Sequence, residues 1–153
     1  AAAGGDLTID ELLSSSFLRD LHRRLYRDVW EWAGRFRRRE LNIGVPPEQI
    51  AVELAQSLGT IKYRWEHTDA WTPHQLGIAV HAETVRVHPF VDGNGRTTRF
   101  LADLVYLATQ EGSDTFLYNW AVDKRNYITL LREFDVTRDS TKLAAFIQAI
   151  AVE

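Results

Sequence analysis

Residues 88 to 99 read HPFVDGNGRTTR, and this stretch combines a histidine, a carboxylate, two glycines and two arginines in twelve positions. Pro89 biases His88 away from helical dihedrals, so a helix that runs into this point is expected to end there. The glycines allow positive-φ turns in which successive backbone N–H groups converge on an anion. A helix that begins after them would add its free N–H groups and positive dipole end. The stretch therefore predicts a phosphate-binding loop between two helices.

The residue types in this loop indicate individual roles. His88 is a candidate general base, because a neutral imidazole with a pKa near ~6.5 can accept a proton from a hydroxyl. Asp92 is a hard oxygen ligand suited to Mg²⁺, which typically binds one or two carboxylates alongside substrate phosphates. Two arginines three residues apart lie on one helix face, and guanidinium groups suit phosphate oxygens. The candidate phosphate-binding residues are Gly93, Asn94, Gly95, Arg96 and Arg99.

Each of these residues also has a structural explanation when it is taken alone. D-G-N-G is a good turn signal, and a histidine before proline is most often a structural residue of a loop. The stretch is not a Walker A loop either, because it lacks the G-x-x-x-x-G-K-[ST] order and contains no lysine. The joint occurrence at fixed spacing favours a nucleotide site in which arginines and backbone N–H groups hold the phosphates.

Residues 88 to 99 resemble the signature of Fic-domain (Fic/Doc) proteins, H-P-F-x-[D/E]-G-N-G-R-x-x-R, and match it at every specified position. A second stretch, WEWAGRFRRRELNIGVP at 30 to 46, resembles the segment that leads into the family's flap hairpin. Together they indicate a Fic domain over residues 15–153 after an N-terminal extension over 1–14, most similar to small bacterial members such as the mobile mystery protein B group. The implied fold is all-α, a Fic-type helical bundle with a small β-hairpin flap.

The resemblance implies protein adenylylation, in which a Tyr, Thr or Ser hydroxyl of a target protein attacks the α-phosphate of ATP and pyrophosphate leaves. His88 would be the base and Asp92 the Mg²⁺ ligand, while residues 93 to 95 would form the anion nest. Arg96 and Arg99 would bind the phosphates. Glycine at position 95 favours nucleotidyl transfer, since the Doc-type kinases of the family carry a lysine there. The alternatives are a degenerate, non-catalytic interaction module and the transfer of another phosphate-containing group from a nucleotide.

The resemblance also assigns a flap, which in the family aligns a stretch of the target protein beside the active site. Strand addition would hold the target segment in register through backbone hydrogen bonds. Such docking depends little on the side chains of the target, so recognition of a particular target would depend on other surfaces. The predicted flap residues are Arg37, Arg38, Arg39, Glu40, Leu41, Asn42, Ile43, Gly44 and Val45.

Regulation is the point at which the sequence departs from part of the family. Many members are inhibited by a helix that carries [S/T]-x-x-x-E-[G/N], whose glutamate pairs with the second arginine of the motif, here Arg99. Glu111 precedes a glycine, but Leu107 stands where the pattern requires Ser or Thr. The open alternatives are a separate antitoxin that supplies the helix, a helix in a terminal segment outside this sequence, and an unregulated enzyme. The first would make this chain the toxin of a toxin–antitoxin pair.

Composition sets the outer limits on these interpretations. The 153 residues are 45% hydrophobic and 25% charged, which is typical of one soluble globular domain. No apolar run approaches the ~20 residues of a bilayer span, and the alanine-rich start lacks the basic region of a signal peptide. The absence of cysteine excludes disulfides and thiolate zinc sites. We expect a cytoplasmic protein with access to ATP, and the absence of methionine predicts that Ala1 is not its natural start.

Apolar residues at steps of three and four predict helices along most of the chain. Five such stripes occupy residues 16–32, 46–65, 100–108, 127–134 and 143–150. Thr72 and Gln75 form a capping box around Pro73, so another helix should begin there and run to about Val87. Gly112 is the predicted C-cap of the helix that follows the loop. Only residues 34–46 have the character of strands, as a small hairpin.

Arginine is concentrated in one part of the chain. Between positions 19 and 39 lie eight arginines and three acids, a local charge of +5 in a chain of net charge −3. A solvated helix face with intrahelical ion pairs explains this as well as a function does. The functional alternatives are an acidic protein partner, steering of ATP, and nucleic acid. Nucleic acid is the least favoured, because the chain is acidic overall and carries no known DNA-binding motif.

Overall fold

Seven α-helices and two short β-strands form the part of the chain that the computed structural model describes, which is residues 7–152. The helices are α1 (Ile9–Leu12), α2 (Ser15–Tyr26), α3 (Ile50–His67), α4 (Pro73–Val87), α5 (Asn94–Thr109), α6 (Lys124–Thr137) and α7 (Thr141–Phe146). The strands are β1 (Thr115–Tyr118) and β2 (Ala149–Val152), and a 3₁₀ turn, Pro47–Gln49, leads into α3. The predicted helical bundle is confirmed.

Helix α4 lies at the centre of the bundle and contributes to two apolar cores. Its residues Leu76, Val80 and Val87 pack in a first core with side chains from α1, α2, α3 and α5. Its residues Ile78 and Ala82 pack in a second core with side chains from α5, β1, α6 and α7. Because α4 is covered on both sides, it is a firm support for the residue that follows its last turn.

Both ends of α4 agree with the prediction from sequence. The Thr72 hydroxyl accepts the N–H of Gln75 at 3.2 Å, and the Gln75 side chain accepts the N–H of Thr72 at 2.9 Å. Pro73 occupies the first helical position, where its missing N–H costs nothing. The helix ends at Val87, immediately before His88 and Pro89.

The β-structure lies in a different place from the one predicted. Strands β1 and β2 pair antiparallel, whereas residues 34–46 contain no strand. Asn42 and Gly44 have positive φ angles of 59° and 80°, which are incompatible with a continuous extended strand. The flap, residues 37–45, is therefore a loop in this structure.

Three helix ends also differ from the predicted ones. Helix α2 ends at Tyr26 rather than Trp32, α5 ends at Thr109 rather than next to Gly112, and α7 ends at Phe146 rather than at about Ile150. In α5 the cause is Gln110, whose side chain accepts the N–H of Phe116 at 2.7 Å and donates to its carbonyl at 2.9 Å. This pair of bonds fixes the chain at the start of β1 and ends the helix early.

The first core reaches into the N-terminal segment. Leu12 and Leu13 are 0% and 6% exposed and belong to that core. Residues 1–6 of the predicted extension lie outside the described residues, and the boundary at residue 15 stays a prediction. Within residues 7–152, no helix combines the length and the apolar character of a membrane span.

Candidate active site

His88 follows the last residue of α4 and has a left-handed backbone conformation, with φ of 52° and ψ of 64°. Its N–H donates to the carbonyl of Thr84 at 3.1 Å and closes the last helical turn. A left-handed conformation is uncommon for a residue other than glycine, and it persists where neighbouring contacts hold it. Two other segments of the chain, which contain Arg37 and Asn94, hold His88 in place.

Arg37 supplies the first of these contacts, and its position differs from that expected of a docking residue. Its side chain is only 2% exposed. Nε donates to the His88 carbonyl at 2.6 Å, Nη1 donates to the Arg39 carbonyl at 3.1 Å, and Nη2 donates to the Val45 carbonyl. The Arg37 N–H donates to the carbonyl of Pro89 at 2.9 Å. A guanidinium has donors only, so backbone carbonyls stabilise it when it is buried. Arg37 therefore connects the flap to residues 88–99, the active loop, and its buried side chain is not part of the exposed surface of the flap.

The other end of the flap is also held against His88. Val45 is buried, and its N–H donates to the carbonyl of Val87 at 3.3 Å. A Cβ on Gly44 would lie 2.5 Å from the Cβ of His88, so only glycine allows this close approach. Between these ends, Arg38, Arg39, Glu40, Asn42 and Ile43 are exposed and Leu41 is half-buried. The part of the flap that is open to solvent is therefore its tip, residues 38–43.

Asn94 supplies the second set of contacts to His88. Its side chain accepts the N–H of Phe90 at 2.9 Å and donates to the carbonyl of Phe90 at 2.8 Å. The same amide nitrogen lies 3.3 Å from Nε2 of His88. Asn94 is buried, so its side chain braces the loop, and any contact with phosphate would have to use its backbone N–H.

The two glycines of the loop differ in conformation. Gly93 has a positive φ of 79° and precedes the first residue of α5, while a Cβ there would lie 2.5 Å from the ring of Tyr26. Gly95 lies within α5 and does not have a positive φ. A Cβ on Gly95 would lie 3.0 Å from Nη1 of Arg99. The predicted positive-φ turn is therefore present at Gly93 only, and Gly95 instead makes room for an arginine.

The N-terminal end of α5 is available to an anion. No side chain among residues 7–152 caps the N–H groups of its first turn, and such groups attract phosphates. Arg96 is exposed, and its guanidinium carbon lies 5.9 Å from the centre of the Tyr26 ring. Arg99 is half-buried, one turn further along. The structure thus brings both predicted arginines to the end of the helix that follows the loop.

Asp92 has the exposure that a metal ligand in this loop requires. Its Oδ1 accepts the N–H of Gly93 at 2.8 Å, and the side chain is otherwise open to solvent. In the described part of the chain, His, Asp and Glu side chains form no cluster of three or more that could hold a metal ion. One carboxylate fits Mg²⁺, which takes its remaining ligands from water and nucleotide phosphates. Asp92 therefore suits a metal that arrives with a nucleotide.

The pKa of His88 suits a base. Burial lowers it below the ordinary value of 6.5, the charge of Arg37 lowers it further, and the carboxylate of Asp92 acts in the opposite direction. The neutral imidazole is the form that accepts a proton. His88 can therefore act as a base near neutral pH.

His22 is a residue of this site that the sequence reasoning missed. It is fully buried in α2, and its Nε2 lies 2.9 Å from the carbonyl oxygen of Asp92. The N–H of Gly34 donates to its Nδ1 at 2.9 Å. Burial lowers the pKa of His22 below its ordinary value. The sequence does contain a signal for His22, because this residue is four positions after Leu18 on the apolar face of the helix. A polar side chain on that face must find hydrogen-bond partners.

His81 and Tyr127 form a polar pair next to Arg99. The hydroxyl of Tyr127 forms a hydrogen bond of 2.5 Å with Nε2 of His81, which is fully buried in α4. Burial raises the pKa of Tyr127, and its contact with Arg99 acts in the opposite direction. Helix α6 therefore contributes to the surroundings of the second arginine.

A model of the family described as Fic/DOC matches residues 12–106, which is more than half of the chain. The matched range contains the flap and the whole active loop. The chain therefore belongs to the Fic/DOC family.

Two curated relatives are adenylyltransferases by name. The chain is 33% identical over 106 residues to the protein adenylyltransferase Fic of Drosophila melanogaster. It is 33% identical over 108 residues to the protein adenylyltransferase fic-1 of Caenorhabditis briggsae. Each alignment covers 67% of this chain and 20% of the relative. The chain thus spans about a fifth of the length of the curated relatives that it matches.

Solved structures share the fold. BepC of Bartonella tribocorum, determined with bound AMPPNP, superposes with a TM-score of 0.68 at 18% identity, over 92% of this chain and 77% of that chain. A Fic domain containing signaling protein of Bacteroides thetaiotaomicron superposes with a TM-score of 0.65 at 24% identity, over 87% of this chain and 54% of that chain. At these identities the similarity establishes the fold alone.

Proposed function

We propose that this domain transfers AMP from ATP to a Tyr, Thr or Ser hydroxyl of a target protein. The observation that carries the proposal is the position of His88, which is held at the end of α4 and joined by one short loop to the N-terminal end of α5. A residue suited to act as a base is thus joined by a short loop to a helix end and two arginines suited to phosphate, which supports this chemistry. The names of the two adenylyltransferase relatives support the same chemistry.

In the proposed reaction, His88 accepts the proton of the target hydroxyl. The hydroxyl oxygen then forms a bond to the α-phosphorus, while the bond from that phosphorus to the bridging oxygen breaks and pyrophosphate leaves with the electron pair. A positioned base contributes ~10²–10⁴-fold to such a step. Asn94 and Arg37 hold His88 from its side chain and its main chain, so the base needs little reorganisation.

The phosphates would lie at the N-terminal end of α5. The backbone N–H groups of its first turn and the guanidinium groups of Arg96 and Arg99 would hold the negative charge. Asp92 would hold Mg²⁺ together with phosphate oxygens, and the ion when bound would neutralise charge on the phosphates. The backbone N–H groups of the helix end are fixed before the nucleotide arrives, which is the arrangement that stabilises developing charge most strongly.

The flap would dock the target. Its exposed tip, residues 38–43, would pair with an extended target segment through backbone hydrogen bonds. Arg37 and Val45 hold the two ends of the flap against residues 87–89. A segment bound at the tip would therefore lie at a constant distance from His88.

Regulation in trans is part of the proposal. A separate antitoxin with an [S/T]-x-x-x-E-[G/N] helix would place its glutamate on Arg99, and this chain would be the corresponding toxin in a bacterial cytoplasm. The pattern does not occur within these 153 residues, so an inhibitory helix of this kind would have to come from outside them. A synthetic peptide with the pattern should lower the rate of transfer, and an equal rate with and without it would count against this part.

The proposal is tested with radiolabelled ATP, Mg²⁺ and bacterial lysate. Label from α-³²P-ATP should appear on a protein band with the wild-type domain and disappear with His88→Ala, which should keep the fold. Label from γ-³²P-ATP alone would indicate kinase chemistry instead. If calorimetry detects no binding of ATP with Mg²⁺, the domain is better described as a non-catalytic interaction module.

A further inference from the structure

His22 joins three segments that are distant in sequence. It lies in α2, its Nδ1 accepts the N–H of Gly34, and its Nε2 lies 2.9 Å from the carbonyl oxygen of Asp92. Its ring stacks on that of Phe90, with 3.8 Å between ring centroids and an angle of 15°. The side chain is 0% exposed, so water does not compete for either ring nitrogen.

The partners of His22 determine which nitrogen carries its proton. A backbone N–H can only donate, so Nδ1 must be the acceptor from Gly34. Nε2 then carries the hydrogen and donates to the carbonyl of Asp92. Both nitrogens of a neutral imidazole are thus used, and both bonds depend on this one tautomer.

The bond to Asp92 matters because little else near this residue holds it. The Asp92 side chain is exposed, and its carboxylate accepts only the N–H of the neighbouring Gly93 among the described residues. The orientation of the carboxylate therefore follows the orientation of its own main chain. His22 holds that main chain from the buried side, and Phe90 is held by the same ring.

We propose that His22 is a positioning residue that holds the main chain of Asp92 so that its carboxylate meets Mg²⁺ on the bound nucleotide. This inference rests on the proposed function only for the role of Asp92 in metal binding. Groups that orient a metal ligand typically change metal affinity by ~10–100-fold when they are removed. His22 itself touches neither nucleotide nor metal in this account.

Two substitutions separate the two bonds of His22. The amide of Asn reaches the position of Nδ1, so His22→Asn can keep the bond to Gly34 and loses the bond to Asp92. The longer side chain of Gln reaches the position of Nε2, so His22→Gln can keep a donor on the Asp92 carbonyl. His74→Asn is the control, because the half-buried His74 also bonds a backbone carbonyl, that of Ile147 at 2.8 Å, but beside the second core.

The first measurement needs no nucleotide. In a ¹H–¹⁵N spectrum, the amide of Gly93 reports on the Asp92 carboxylate to which it is bonded. Both His22 variants lose the ring-current effect of the imidazole, so we expect this signal to move further in His22→Asn than in His22→Gln and to stay near its wild-type position in His74→Asn. Thermal melting by circular dichroism checks that each variant is folded.

The second measurement is calorimetric binding of α,β-methylene ATP with and without Mg²⁺. We expect His22→Asn to reduce the Mg²⁺-dependent gain in affinity by about tenfold, and His22→Gln to retain most of this gain. In an Asp92→Ala background, His22→Asn should cause no further reduction of the gain. A folded His22→Asn protein with an unchanged gain overturns the inference. Because AMP transfer by the wild type is scored separately with radiolabel, that result leaves the proposed function standing.

Discussion

The guanidinium of Arg37 donates to the main-chain carbonyl of His88 at 2.6 Å, across 51 positions of sequence. This bond ties the flap to the base, and the buried charge of Arg37 also lowers the pKa of the His88 imidazole. One side chain thus affects both the position and the protonation of the proposed base.

Arg37→Lys tests the positional role. Lysine is also cationic, but it lacks the fork of donors that reaches several carbonyls. We expect the free energy of unfolding to fall by about 1–3 kcal/mol, because buried carbonyls lose their partners. Transfer should fall on the order of 10²-fold, as is typical for a displaced catalytic group. Arg132→Lys is the control, since Arg132 is exposed on α6, outside the flap and the active loop. Equal rates of transfer for the two variants would show that Arg37 does not position His88.

The pKa of His88 predicts the pH dependence of transfer. Burial, and then the charge of Arg37, lowers this pKa below 6.5. The neutral imidazole is the active form, so the wild-type domain should keep more than half of its maximal kcat/KM at pH 6.5 and lose activity at more acidic pH. The measurement is kcat/KM as a function of pH. An acid limb centred above 6.5 would show that another group controls the rate or that His88 is not the base.

Glycine at position 44 is required by close contact and by backbone conformation. Gly44→Ala places a Cβ 2.5 Å from that of His88 at a positive φ, and such strain costs about 1–3 kcal/mol. Gly59→Ala is a matched control in α3, where an added Cβ meets nothing within 4 Å; it should stabilise by up to ~1 kcal/mol. Urea unfolding measures both changes. A Gly44→Ala protein as stable as the wild type, with full activity, would contradict the contact between flap and loop.

His81 predicts a loss of stability in acid. Burial holds its pKa near about 3, whereas the unfolded chain binds a proton below the ordinary value of 6.5. The free energy of unfolding should therefore fall as the pH falls from 6.5 towards 3. His81→Gln should reduce the difference between urea midpoints at about pH 7 and about pH 4.5, whereas His67→Gln, at an exposed position, should leave it unchanged. An equal difference in wild type and His81→Gln would assign the acid sensitivity to other groups.

The features that sequence predicts well are those set by neighbours in the chain. The start of α4 follows from Thr72, Pro73 and Gln75, and its end follows from Pro89, because capping and the restriction before proline act over a few residues. The active loop is also local, since residues 88–99 contain the base, the carboxylate, the glycines and both arginines.

The features that sequence does not predict depend on contacts between distant segments. Arginine side chains are usually exposed, and only the burial of Arg37 against His88 and Val45 shows that this one is structural. His22 bonds a residue 70 positions away. Strand β2 forms by pairing with β1. This tertiary pairing overrides the helical spacing at the end of residues 143–150.

The central claim is that His88 is the base for transfer of AMP to a protein hydroxyl. Mass spectrometry of the modified lysate protein tests it most directly, after incubation with ATP and Mg²⁺ and either the wild-type domain or a folded His88→Ala variant. We expect an AMP group on a Tyr, Thr or Ser side chain with the wild type and none with the variant. The same adduct with both proteins would contradict it.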